Sequence, residues 1–183
     1  MKLRRWQQKV VDEFPDIVKN YRKFILKAPT GAGKTVLASE IINRFYKKKK
    51  IVVLCHRLVL LEQLEKGLSS NHKVKKLGLS EEGKPFDNYD VLISTNLRSR
   101  EFLKRAIAKC DLMIIDEAHF SLADTYEEVI SDIERNSPEI KKIGLTATPM
   151  RSEDNEFYNL KDYFSANCID FKDEKDNIIE NAL

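Results

Sequence analysis

The sequence predicts one α/β domain: a mainly parallel, doubly wound sheet with helices on both faces. Three observations predict it. Short continuous apolar runs at residues 24–26, 51–55, 91–94 and 112–115 read as strands buried on both faces. Segments of helical spacing alternate with them, as crossovers between parallel strands require. Polar clusters recur just past the carboxyl ends of those runs, where such sheets hold ligands. A chain of 183 residues is long enough for one good core, and it shows no internal repeat.

In chain order, residues 3–19 read as one or two helices interrupted at Pro15, with Val10, Val11, Phe14, Ile17 and Val18 as the apolar stripe. The strand at 24–26 leads into APTGAGKT, residues 28–35, and a helical pattern continues to Phe45. A buried strand, a Gly-containing loop and a helix N-terminus make a phosphate cradle, because loop N–H groups and the helix dipole converge on an anion. Gly31 and Gly33 let the backbone approach phosphates without a Cβ in the way. Lys34 can reach the β- and γ-phosphates, and Thr35 can offer its hydroxyl to Mg²⁺. The strict pattern has Gly at its first position, where this chain has Ala28; the GKT end retains the charge and the metal chemistry. A plain glycine-rich turn with a surface lysine would leave the agreement of strand, spacing, Lys and Thr unexplained.

The lysine run 47–50 reads as a solvated helix end whose cations suit the dipole, with a nucleic-acid patch as the alternative. After the strand at 51–55 come a helix at 58–68, a weak strand at 74–79 and a polar loop at 80–89 with Gly83 and Pro85. A strand at 91–94 and a helix at 97–108 follow. The strand at 112–115 ends in Asp116-Glu117-Ala118-His119. Beside a phosphate loop, Asp116 suits the Mg²⁺ shell, through water, and Glu117 suits a general base for an attacking water. The bland reading of this pair is an acidic first helical turn. His119 is either a surface histidine or a link to Thr146 or Thr148 on the neighbouring strand end. A helix at 123–135, a strand at 142–145, a short helix at 156–164, a strand at 168–171 and a tail from 178 complete the chain.

Composition narrows the rest. No stretch approaches the ~20 apolar residues of a membrane span, and the first ten residues lack the apolar core of a signal peptide. Cys55, Cys110 and Cys168 are far apart, which argues against a zinc site or a disulfide framework and for a reducing, cytoplasmic setting. Net charge is only +3, so any nucleic-acid contact must come from local basic groups.

In motif content and order, the chain resembles the first RecA-like domain of superfamily 2 helicases and translocases of the DExH kind. APTGAGKT looks like motif I, DEAH at 116–119 like motif II and GLTATPMR at 144–151 like motif III. The last is in the form used by restriction-enzyme motor subunits and DNA-repair translocases. The resemblance implies ATP and Mg²⁺ as cofactors, with Pro29, Thr30, Gly31, Ala32, Gly33, Lys34 and Thr35 around the phosphates. It makes Lys34, Asp116 and Glu117 the catalytic set. Leu3-Arg4-Arg5-Trp6-Gln7 resembles the family's adenine-recognising segment, within helices over 1–20; Gln7 would read the adenine edge, Arg4 would sit beside the base, and Trp6 could stack on it. That implies a preference for ATP over GTP. Arg57 and Thr95 match positions that grip a nucleic-acid backbone, without sequence selection. For Arg98 and Arg100 a solvated face and a contact are equally open. His119, Thr146 and Thr148 would couple the nucleotide state to the track.

The family's motors use two such lobes, the second supplying an arginine finger worth about 10³–10⁵ in rate. Nothing after Arg151 resembles that lobe, so residues 1–183 are expected to form a first lobe that hydrolyses ATP slowly alone and is completed in cis or in trans. The partner track is expected to be DNA before RNA, with no membrane. The alternative is a nucleotide-dependent module that docks on nucleic acid or on a motor without turnover. An unrelated kinase or GTPase fits poorly, since no N-K-x-D segment is visible and DEAH and TAT would be idle.

Overall fold

A computed structural model describes residues 2–55, 58–77, 89–94, 109–118, 124–147, 164 and 168–170. Its elements are α1 (Arg5–Asn20), β1 (Lys23–Lys27), α2 (Lys34–Phe45), β2 (Ile51–Leu54), α3 (Leu58–Leu68), β3 (Val74–Leu77), β4 (Val91–Ser94), β5 (Leu112–Asp116), α4 (Asp124–Asn136), β6 (Lys141–Thr146) and β7 (Cys168–Asp170). The helix expected at 97–108 lies outside the described residues, as do all but Phe164 of the helix expected at 156–164 and all but Tyr89 of the loop expected at 80–89.

The strands form one sheet in the order β3-β4-β2-β5-β6-β1-β7, and every pairing is parallel. Alternate residues of each apolar run serve opposite faces. Phe24, Leu26, Ile51, Val53, Leu112 and Ile114 pack with α1, α2 and α3, whereas Ile25, Val52, Leu54, Met113 and Ile115 pack against Val129, Ile130 and Ile133 of α4. This two-sided burial is why the runs lack polar alternation. The distribution of helices follows from handedness. The chain moves one way across the sheet from β1 to β2 and the other way from β5 to β6, so right-handed crossovers put α2 and α4 on opposite faces.

Helix α1 is continuous, where the sequence left open a break at Pro15. Pro15 faces solvent and forfeits one backbone hydrogen bond. Phe14 and Ile17 on either side hold the helix to the core. Phe14 is fully buried, with its ring stacked on Phe45 at 4.9 Å and edge-on to Phe24 and Tyr46 at 6.3 Å. Cys55 and Cys110 are buried free thiols, and burial pushes Cys110 up to about 12. Among the described residues no helix is long and apolar enough to cross a membrane.

The lysine run is exposed, as expected of a solvated turn, and makes polar contacts there. It forms the turn after α2, where Lys49 Nζ lies 3.3 Å from Asp111 Oδ1, Lys50 N donates to Asp111 Oδ2 at 2.9 Å, and Lys50 Nζ donates to Tyr89 O. Lys142 was not foreseen as buried, yet its exposure is 0% and it pairs with Glu134 of α4. Burial, then Lys23 and Arg22 beside it, lower it to about 6, while the Glu134 carboxylate favours its charged form.

Candidate nucleotide site

Parallel pairing brings the strand carboxyl ends to one edge. Asp116 at the end of β5 is level with Leu145 of β6, and Thr146 is level with Lys27 of β1. Ala28 N then donates to Thr146 O at 3.0 Å, which carries the ladder one residue past β1. Ala28 is buried and has no positive φ, so the strand-end position accepts a Cβ where the strict motif has glycine.

The loop turns after that. Gly31 and Gly33 have φ of 75° and 91°, in the region that L side chains rarely adopt. A Cβ on Gly33 would lie 2.7 Å from Gln7 Nε2. Both glycines are therefore required by backbone shape, and Gly33 also by a close approach. Gly33 caps α2, so Lys34 and Thr35 occupy the helix's first turn, where N–H groups have no partner within the helix.

Lys34 is nearly buried. Its ammonium donates to Ala28 O at 3.2 Å and Pro29 O at 3.4 Å, and lies 3.9 Å from Glu117 Oε1. The loop lysine and the acidic pair, 83 positions apart in the chain, thus share one site. Thr35 and Asp116 line the same narrow cleft, together with Val53 and Leu145. The set fits a triphosphate with its metal: a loop able to approach an anion, a nearly buried cation, and a threonine and an aspartate lining one small cavity. Among the described residues no cluster of three His, Cys, Asp or Glu could cage a metal unaided.

Glu117 has φ of 50°, uncommon for a residue with a Cβ. The backbone turns sharply after β5, directing the Glu117 carboxylate toward Lys34 while Ala118 is driven into the core. Sequence reasoning missed the device that permits this. Gly144 of β6 lies against that turn, and a Cβ there would come within 2.9 Å of Ala118 Cβ and 2.8 Å of Phe164 Cζ. Glycine within an otherwise apolar strand was the available signal.

The N-terminal helix grips the loop. Gln7 Nε2 donates to Gly33 O at 2.9 Å, Gln7 Oε1 accepts from Arg4 N at 2.8 Å, and Arg4 donates to Gly31 O at 3.3 Å. Gln7 is buried and Arg4 exposed. Trp6, for which the sequence left stacking possible, is a core residue in the cluster of Val10, and its indole N–H meets no acceptor among the described residues. The reason is helical phase: Trp6 and Val10 are one turn apart on the buried stripe. Thr146 is buried at the edge of the site. Arg57, Thr95, Arg98, Arg100, His119 and Thr148 lie outside the described residues.

A phosphate loop after β1, an acidic strand end two strands away and an all-parallel sheet define a RecA-like nucleotide-binding domain. Comparison with known proteins agrees. Residues 1–151 match the family described as "Type III restriction enzyme, res subunit". The chain is 31% identical over 145 residues to "Putative helicase 22" of Sulfolobus islandicus filamentous virus, covering 72% of this chain and 25% of that protein. It is 30% identical over 166 residues to "Putative ATP-dependent helicase IRC3" of Saccharomyces cerevisiae, covering 82% of this chain and 24% of that protein. The Sulfolobus solfataricus SWI2/SNF2 ATPase core in complex with dsDNA shares its fold, with a TM-score of 0.65 at 17% identity, over 100% of this chain and 47% of that one. The chain belongs to the family of type III restriction enzyme res subunits, and it is a first RecA-like domain of the superfamily 2 helicase type. It spans about a quarter of the length of these curated relatives.

Proposed function

We propose that this domain is the ATP-binding half of a nucleic-acid-dependent ATPase motor, completed by a second RecA-like lobe. Lys34 leaves its loop carbonyls for the β- and γ-phosphates. Thr35 and Asp116 hold Mg²⁺, which supplies charge neutralisation at the phosphates. Glu117 takes the proton of the attacking water. Pro29, Thr30, Gly31, Ala32 and Gly33 shape the cradle, and Arg4 and Gln7 place the base. Arg57 and Thr95 hold the track, and His119, Thr146 and Thr148 relay the nucleotide state to it. The track is DNA in preference to RNA, in line with the dsDNA-bound fold relative.

The observation that carries this reading is the 3.9 Å approach of Lys34 Nζ to Glu117 Oε1, which lets one ligand meet both segments. The test measures ATP hydrolysis with and without DNA, RNA and an added second lobe. Hydrolysis stimulated by nucleic acid once the second lobe is present is expected. ATP binding with no stimulated turnover under any of these conditions would leave a docking module instead. No calorimetric heat with ATP would end the reading altogether.

A further inference from the structure

The edge of the sheet opposite the nucleotide site carries a set of exposed cations. The turns that enter β2, β3 and β5 present Lys47, Lys48, Lys73 and Lys109 exposed, and Arg22 is exposed at the start of β1. Asp111 stands among them, paired with Lys49. Among the described residues, Lys47, Lys48 and Lys109 meet no carboxylate at ion-pair distance. The backbone that carries them is fixed. Lys49 N donates to Tyr46 O at 3.2 Å, Ile51 N to Asp90 O at 2.9 Å and Asp111 N to Lys50 O at 2.8 Å. Lys48 has φ of 59°, uncommon for a residue with a Cβ. Burial lowers the pKa of His72; Asp90 opposes the shift and Lys47 adds to it. Lys47, Lys48 and Lys109 thus stand on a fixed backbone beside the ion pairs Lys49–Asp111 and Arg22–Glu139, as cations left over for an outside anion.

Two aromatic rings are exposed at the same edge. Tyr21 follows α1 and is 40% exposed; Phe45 ends α2 and is 37% exposed. Phe45 stacks on Phe14 with an interplanar angle of 27°, so its ring is held in place. Fixed rings beside cations suit bases and phosphates better than they suit acidic side chains.

We propose that this edge is a second nucleic-acid contact, which grips the phosphate backbone through Lys47, Lys48 and Lys109 and stacks bases on Tyr21 and Phe45. It lies about 17 Å, the length of a five-residue strand, from the carboxyl edge that holds the nucleotide. That the polyanion is nucleic acid rests on the proposed motor function.

The test is fluorescence anisotropy of a labelled single-stranded oligonucleotide over a salt series, using the intact chain and the variant Lys47→Gln/Lys48→Gln/Lys109→Gln. Loss of three phosphate contacts should reduce the slope of log K against log salt by about 2–3, and affinity in 0.1 M salt by roughly a hundredfold. Circular dichroism and calorimetric ATP binding should match the parent protein. Tyr21→Ala should weaken binding several-fold with the slope unchanged. Unchanged affinity and slope in the triple variant, with the parent binding DNA, would overturn this contact and leave the motor reading intact. A parent that binds ATP but no nucleic acid would overturn both. Polyglutamate bound as tightly as the oligonucleotide, and lost in the same variant, would make the edge an acidic-protein site and overturn the proposal.

Discussion

Replacing Gly33 with Ala should cost about 3 kcal/mol of stability, in two separable parts. At φ of 91° a Cβ strains the backbone by about 1–2 kcal/mol. The same Cβ lies 2.7 Å from Gln7 Nε2, so the buried amide must move and lose its bond to Gly33 O. A buried amide left unpaired costs about 1–3 kcal/mol. For a domain of this size each kcal/mol shifts Tm by about 2–4 °C, so the drop should be about 6–12 °C by calorimetry. The two parts separate in a double-mutant cycle. In a Gln7→Ala background the steric part is absent, and Gly33→Ala should then cost only the backbone strain. Equal costs in the two backgrounds would refute the contact between α1 and the loop. No cost in either would refute the left-handed loop, and with it the argument for glycine at 33.

Other outcomes follow from the same geometry. Lys34→Ala should weaken calorimetric ATP binding at least tenfold, since one charge-assisted contact is worth about 1.5–3 kcal/mol; unchanged affinity would remove the lysine from the cradle. Glu117→Gln should bind ATP normally while phosphate release stops, and loss of binding would point to metal ligation instead. Gly144→Ala should destabilise the domain by about 1–3 kcal/mol through overpacking against Ala118 and Phe164, read as a lower urea midpoint. Lys142 has a folded pKa lowered from 10.5 to about 6, so the unfolded chain binds more protons between those values. Stability should therefore rise as pH climbs from about 6 towards 10, by less than one proton's worth because Glu134 opposes the shift. Urea midpoints across that range check it, and Lys142→Met should flatten the trend.

The elements and chemical parts of the domain were legible because each is encoded locally. An apolar run such as 112–115 can only be a strand or helix segment buried all round, and APTGAGKT combines glycine freedom, a cation and a hydroxyl at a helix start. A helix phase is also local, yet the ring of Trp6, for which the sequence left stacking possible, is buried. Its place on the buried stripe is settled by what the neighbouring strands and helices bury, and a motif read position by position ignores that.

Taken alone, the sequence determined which of the described segments are strands and which helices, and it singled out side chains with the chemistry to bind phosphate, metal and water. Tertiary structure decided which of them meet. The crossovers set the strand order, and that order puts Lys34 beside Glu117, lets Gly144 make room for the turn behind Glu117, and gathers Lys47 and Lys109 at the opposite edge. Backbone preference acts over a few residues, whereas neighbours in a parallel sheet are fixed by the packing of the whole core.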